Sequence, residues 1–192
     1  MSNETLTELV RMSRYLGAAA RTYAILGEGN SSARLDADTF YVKASGTQLG
    51  TIDANGFVRL SISRVLEVLD DDSADDESVT EALRGACVDP TEARRPSVEA
   101  MLHALLLQYE GCCFVGHTHP VYTNMILCSM DAERIVHGRI CPDHIVVMGH
   151  TSVYVPYVDP GLVLAREVRT RVADYVAREG VLPKAILMQN HG

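Results

Sequence analysis

Apolar residues at Leu6, Leu9, Val10, Met12, Leu16, Ala19, Ala20 and Tyr23 recur at close to helical spacing, predicting an amphipathic helix over residues 4–26 that Gly27 stops. The pattern then changes. The stretch GEGNSSARLDADTFYVKASG (27–46) reads as two short strands joined by a turn at 36–38, with small polar residues clustered at both ends. Asn55-Gly56 is a second turn signal, and residues 61–69 predict a short helix capped by Ser61. Residues 70–77, DDDSADDE, read as a solvated acidic loop.

From residue 96 the chain becomes strongly apolar. Residues 96–108 predict a buried helix with Pro96 at its first position, and CCFVGHTHP (112–120) follows as a short strand ending in histidines. A helix over 121–129, strands over 145–148 and 153–155, a long amphipathic helix over 160–178 and a strand over 184–188 complete the pattern. Strands and helices intermingle without repeat or linker, which predicts one layered sheet-and-helix domain.

Composition narrows the function classes. Of 192 residues, 47% are hydrophobic and 22% charged, so the chain can build a core and is not intrinsically disordered. A net charge of -8 argues against a partner held by its phosphate backbone, so nucleic acid is not expected, although a local anion pocket is compatible with it. Neither a bilayer-spanning apolar run nor a signal-peptide layout occurs, and the expectation is a cytoplasmic protein without a membrane partner. The five cysteines lack a CxxC pattern and sit mostly among apolar neighbours, as buried reduced thiols would.

The chemistry-bearing residues gather at predicted strand ends and helix starts. His117 and His119 stand two apart on a predicted strand, which puts both rings on one face with Cα atoms about 7 Å apart. Such a pair can share a metal or be two hydrogen-bonded structural histidines. A catalytic metal needs a third ligand, and His191 repeats the context of an apolar strand running into a polar turn. His137, His144 and His150 lie in turn-like stretches and are weaker candidates. Glu99, in the predicted first turn of the apolar helix, is a helix-stabilising acid or a general base beside a metal. His103, one turn on, can orient Glu99 or simply be a satisfied core histidine. Gly29-Asn30-Ser31, Ser45-Gly46 and Ser97 are small polar groups at turns or a helix start, where backbone N–H groups bind anions, although each alone also reads as an ordinary turn.

Taken in order, GEGNSSA, VKASGT, RPSVEAMLHALL, GHTHP and MQNHG resemble the class II aldolase/adducin-type family, whose enzymatic members include L-fuculose-1-phosphate aldolase, over residues 5–192. The segment VPYVDPGLVLAREV also resembles members in which the module stands alone or is fused to a dehydrogenase. The resemblance implies a single three-layer α/β/α domain with a mainly antiparallel central sheet, assembled as a homotetramer with active sites near subunit interfaces. It matches His117, His119 and His191 to zinc ligands (Zn2+, with Mn2+ or Co2+ as other divalent choices) and Glu99 to the catalytic acid/base. It matches Gly29, Asn30, Ser45, Gly46 and Ser97 to substrate- and phosphate-binding positions. The implied activity is a zinc-dependent aldolase that cleaves a small ketose 1-phosphate into dihydroxyacetone phosphate and an aldehyde. A sugar-acid decarboxylase, an epimerase and a non-catalytic adducin-like module are its rivals. Tyr122, Tyr154 and Tyr157 are candidate proton donors to the aldehyde oxygen. Two departures stand out: Val98 occupies the position where the family often has a second serine, and the chain stops one residue after His191, so a C-terminal tail is expected to be missing.

Overall fold

A computed structural model describes residues 2–71 and 73–192, so Asp72 of the predicted acidic loop lies outside the described residues. The chain forms two compact units, one reaching to Thr118 and the other spanning His119–Gly192.

The first unit contains α1 (Ser2–Leu16), β1 (Asn30–Arg34), β2 (Thr39–Lys43), β3 (Phe57–Ser61), α2 (Ile62–Asp70), α3 (Asp76–Gly85), α4 (Ala100–Leu107) and β4 (Phe114–His117). Its strands form one antiparallel sheet in the order β3-β2-β1-β4. Successive side chains of a strand point to opposite faces, and β1 shows which helix covers which. Ser31 Oγ lies 2.6 Å from Ser13 Oγ on α1, whereas the next residue, Ser32, bonds His103 on α4. The sheet is therefore sandwiched between α1 and α4, a helix–sheet–helix arrangement with the predicted antiparallel centre. Leu9, Ala33, Ile52 and Phe57 form part of the core on the α1 side. Helix α4 is apolar all round and accordingly buried at almost every position.

The second unit contains α5 (Val121–Leu127), α6 (Ala132–His137), α7 (Pro142–Met148), β5 (Val153–Val155), α8 (Leu162–Glu179) and β6 (Ile186–Met188), with β5 and β6 paired in parallel. Helix α8 buries Leu164, Ala165, Val168, Val172 and Tyr175, the three-to-four-residue stripe of an amphipathic helix. Leu127, Ala132, Val136 and Tyr154 form a second core cluster.

Several boundaries differ from the sequence reading for identifiable reasons. The first helix ends at Leu16 rather than near residue 26, and the next residue, Gly17, packs directly on another backbone, where a Cβ would lie 2.1 Å from Gly50 N. Residues 145–148 are helix and not strand. Pro142 opens α7 at its first position, Asp143 sits in the first turn and Gly149 at φ 79 closes it, so these end signals outweigh the β-branched run. The acidic stretch is not loop to residue 77, since Asp75 caps α3 through a reciprocal bond pair with Ser78. β3, α3 and α6 are elements that the hydrophobic pattern alone did not reveal. All five cysteines are thiols, but only Cys87 is buried, while Cys113, Cys128 and Cys141 are exposed. Among the described residues, no helix is long and apolar enough to cross a membrane.

Candidate active site

Strand register builds the first half of the site. Asn30, the first residue of β1, is the direct antiparallel partner of His117, the last residue of β4. Cross-strand partners share a face, and parity along β1 puts Asn30 on the same side as Ser32, towards α4. Glu99 meets them there. Its Oε1 lies 3.4 Å from His117 Nε2, with the two side chains only 19% and 10% exposed. Its Oε2 accepts a hydrogen bond from Asn30 Nδ2.

Glu99 reaches this position because α4 starts later than its sequence suggests. Pro96 pairs with Ala44 in an isolated antiparallel bridge, Ser97 N donates to Lys43 O at 3.2 Å, and Ser45 N donates to Arg95 O at 2.8 Å. Residues 95–97 are thus laced to the end of β2 before the helix begins. Pro96 is consequently no first helical residue, and Glu99 sits at the N-cap position (φ -79, ψ 3) without capping the helix by its side chain. Its carboxylate is left to face the sheet.

Behind Glu99 runs a buried polar chain. His103 Nε2 bonds Asn30 Oδ1, and His103 Nδ1 lies 2.6 Å from Ser32 Oγ. His103 is 1% exposed and Asn30 3%. Burial, reinforced by His117 and opposed by Glu99, holds the His103 ring well below the ordinary imidazole range, at about 3. It is neutral at physiological pH.

The same corner gathers the residues predicted for an anion. Ser97 Oγ lies 3.4 Å from Asn30 Nδ2, and the lacing brings Ser45 against the segment that leads to Ser97. Gly29 and Gly46 adopt φ 73 and φ 80, backbone that a side chain rarely tolerates. At Gly29 a Cβ would also lie 2.7 Å from His117 O, so the loop entering β1 passes directly against the end of β4. The Ser45 and Ser97 N–H groups are already committed to protein carbonyls. Val98, at the position where the resembled family often has a second serine, is an exposed apolar residue.

Lys43 is the residue that sequence reasoning missed. It is 4% exposed, at the end of β2 within the laced corner. Burial pushes its ammonium down from the ordinary lysine range, and the charge of Glu99 pulls the other way. A signal was present: the chain has only two lysines, and this one ends an apolar strand beside a glycine turn.

The second unit assembles its own pair. β4 ends at His117, so His119 lies beyond the strand that was expected to carry it. The rings of His119 and His191 lie 5.0 Å apart in an edge-to-face arrangement at 85°. His191 follows β6 in a tight turn whose N–H bonds Met188 O at 3.1 Å. Asn124 on α5 donates from Nδ2 to His191 O at 3.0 Å, and its own Oδ1 is buried without a hydrogen-bond partner among the described residues. Sequence reasoning gave no sign of this brace. Of the tyrosines proposed as proton donors, Tyr154 is buried in the core of this unit, with burial raising its phenol, whereas Tyr122 and Tyr157 are exposed.

Residues 7–192 match the model of the Class II Aldolase and Adducin N-terminal domain. The chain is 30% identical over 193 residues to the "Uncharacterized oxidoreductase YuxG" of Bacillus subtilis, covering 96% of this chain and 25% of that protein. It is 28% identical over 175 residues to the 3-oxo-tetronate 4-phosphate decarboxylase of Haemophilus influenzae, covering 90% of this chain and 68% of the relative. The chain thus spans a quarter of the length of the first relative and about two thirds of the second. Among solved structures, the N-terminal class II aldolase domain of a conserved Thermoplasma acidophilum protein superposes with TM-score 0.69 at 29% identity, covering 96% of this chain and 80% of that one. The L-fuculose-1-phosphate aldolase of Thermus thermophilus shares the fold, with TM-score 0.63 at 15% identity over 97% of this chain and 76% of that one.

Proposed function

Given that the chain belongs to the Class II Aldolase and Adducin N-terminal domain family, we propose that it is a divalent-metal-dependent carbon–carbon lyase, an aldolase that cleaves a small ketose 1-phosphate reversibly into dihydroxyacetone phosphate and an aldehyde. One observation carries the reading: Glu99 is held by Asn30 on one oxygen while the other lies 3.4 Å from His117. A carboxylate held by Asn30 beside a proposed metal ligand, with no part in capping its own helix, supports a role in proton transfer.

The donor chemistry fits a divalent cation. His117, His119 and His191 would hold it, three imidazoles being the ligand set of a catalytic zinc site with a position left open for substrate, with manganese and cobalt as its competitors. Bound there, the ion supplies Lewis acidity to the substrate's carbonyl and hydroxyl oxygens. Glu99 moves the proton. In cleavage the hydroxyl of the carbon that becomes the aldehyde loses its proton to solvent. The bond from that carbon to the carbonyl-bearing fragment breaks with its electron pair staying on the fragment, and Glu99 in its acid form delivers a proton to the fragment's carbon. In the reverse direction the Glu99 carboxylate removes the same proton from dihydroxyacetone phosphate. Asn30 keeps the carboxylate aimed, and the low exposure of Glu99 and His117 limits competing water. The Ser45-Gly46 turn, Ser97 and Gly29 flank the corner where the substrate phosphate would dock.

Similarity to the Haemophilus decarboxylase favours one second reading, a decarboxylase of a phosphorylated sugar acid. There the bond to the carboxylate breaks, carbon dioxide leaves, and Glu99 protonates the carbon left behind. Action in the cytoplasm as a homotetramer completes the proposal; apolar residues such as Tyr122, Met125, Val146 and Val147, exposed on α5 and α7, support a face that joins another copy.

Zinc-loaded protein incubated with phosphorylated ketoses and with 3-oxo sugar-acid phosphates distinguishes the readings. Dihydroxyacetone phosphate with an aldehyde supports the aldolase, and carbon dioxide supports the decarboxylase. No turnover of either class by a metal-replete protein refutes both and leaves an adducin-like binding module. Glu99→Gln should keep its metal and lose roughly 10²–10⁴-fold in kcat. Unchanged turnover would remove Glu99 from the mechanism.

A further inference from the structure

We propose that His103 is a positioning residue for Glu99, acting through Asn30 from a ring that Ser32 anchors from behind; this rests on the reading of Glu99 as the proton-transfer group.

Donor and acceptor roles run one way along the chain of bonds. Glu99 as a carboxylate only accepts, so the Asn30 amide must turn its NH2 end to Oε2. The carbonyl end of that amide then faces His103 Nε2, which must carry a hydrogen to be a partner. A neutral ring protonated on Nε2 leaves a lone pair on Nδ1, and the Ser32 hydroxyl 2.6 Å away donates to it. Each group has one role compatible with its neighbours. Rotating the Asn30 amide by half a turn would set its oxygen against the Glu99 carboxylate and, with the ring in this tautomer, its NH2 against the N–H of His103, two mismatches in a buried site. In this tautomer His103 backs the polarity of the amide that aims Glu99.

The fold makes this arrangement rigid. Asn30 and Ser32 are alternate residues of one strand, so both project towards α4, where His103 stands one turn beyond Glu99. His103 N also donates to Glu99 O at 3.4 Å, tying the two residues through the first turn of the helix. A histidine that merely filled the core would not need its second nitrogen on the partner of the proposed catalytic carboxylate.

The tautomer can be read without catalysis. Nitrogen–proton correlation spectra of the imidazoles in the zinc-loaded full chain should show His103 neutral and protonated on Nε2; protonation on Nδ1, or an imidazolium at neutral pH, overturns the proposal. Catalysis is read from deuterium uptake into dihydroxyacetone phosphate in heavy water. His103→Leu should lower kcat for exchange about tenfold, with KM and metal content within about twofold. His103→Gln, whose side-chain amide can still donate to Asn30, should recover most of the loss, and Ser32→Ala should show a smaller one. Equal losses in the Leu and Gln variants, or a change in KM alone, would assign His103 a purely structural part. If the wild-type protein neither exchanges this proton nor decarboxylates a 3-oxo sugar-acid phosphate, the role of Glu99 falls and the positioning role with it. If it exchanges normally and the His103 variants match it, only the positioning role falls.

Discussion

His103 bears on stability as well as on the site. Its folded value of about 3 lies below the ordinary unfolded imidazole value of about 6.5. Between these the unfolded chain takes up a proton that the folded one refuses, so this contribution is fully present above about pH 6.5 and is lost as pH falls towards about 3. Urea-unfolding free energies measured from about pH 7 to about pH 4 should decline less steeply for His103→Gln than for the wild type; parallel declines would mean that the ring is protonated in the folded state. Burial shifts Lys43 in the same direction. Burial of its ammonium disfavours the charged form, so Lys43→Met should raise the urea midpoint at neutral pH, and it should weaken binding of a phosphorylated substrate if the lysine serves the anion corner. At this scale the sequence identified candidates but not their roles. Glu99, His103 and Asn30 all stood out as residues, yet the strict order of hydrogen-bond donors that links them depends on contacts between positions 30, 32, 99 and 103 that no local spacing encodes.

The entry loop of β1 depends on Gly29. Its positive φ and the His117 carbonyl 2.7 Å from where a Cβ would stand leave no room for a side chain. Gly29→Ala should destabilise the first unit by about 1–3 kcal/mol and displace Asn30 from His117, seen as a lower unfolding midpoint together with reduced turnover. A stability equal to wild type would show that the loop relaxes. Elements with strong local signals were legible: the hairpin of β1 and β2, the Ser61-capped α2, and α8 with its buried stripe all lie close to their predicted positions. The failures share a cause. Residues 145–148 are apolar, three of them β-branched, but lie between helix-start and helix-stop residues, and α4 loses its expected first turn because residues 95–97 pair with the end of β2. In both, neighbouring structure outweighed intrinsic preference.

For the molecule as a whole, metal binding and assembly are the tests. A ligand that binds only the folded state stabilises it by about 2.7 kcal/mol at a hundredfold excess over Kd, so saturating zinc should raise Tm and a chelator should reverse the rise. His119→Ala should abolish the zinc-dependent shift, and an undiminished shift would exclude it as a ligand. Val146→Asp, at a position 72% exposed on α7, should leave folding intact but lower the mass seen by light scattering if that face joins subunits. What the sequence alone determined is local: the β1–β2 hairpin, the Ser61 cap of α2, the buried stripe of α8, and the placing of His117, His119 and His191 just at or after the ends of strands, because these follow from short-range sterics and burial pattern. What only the tertiary structure decided is long-range: that Asn30 faces His117, that Glu99 turns from its helix to the sheet, that Lys43 is buried, and that Asn124 braces His191. Each of these depends on strand register or on contacts between distant segments, and such contacts are set by how whole elements pack.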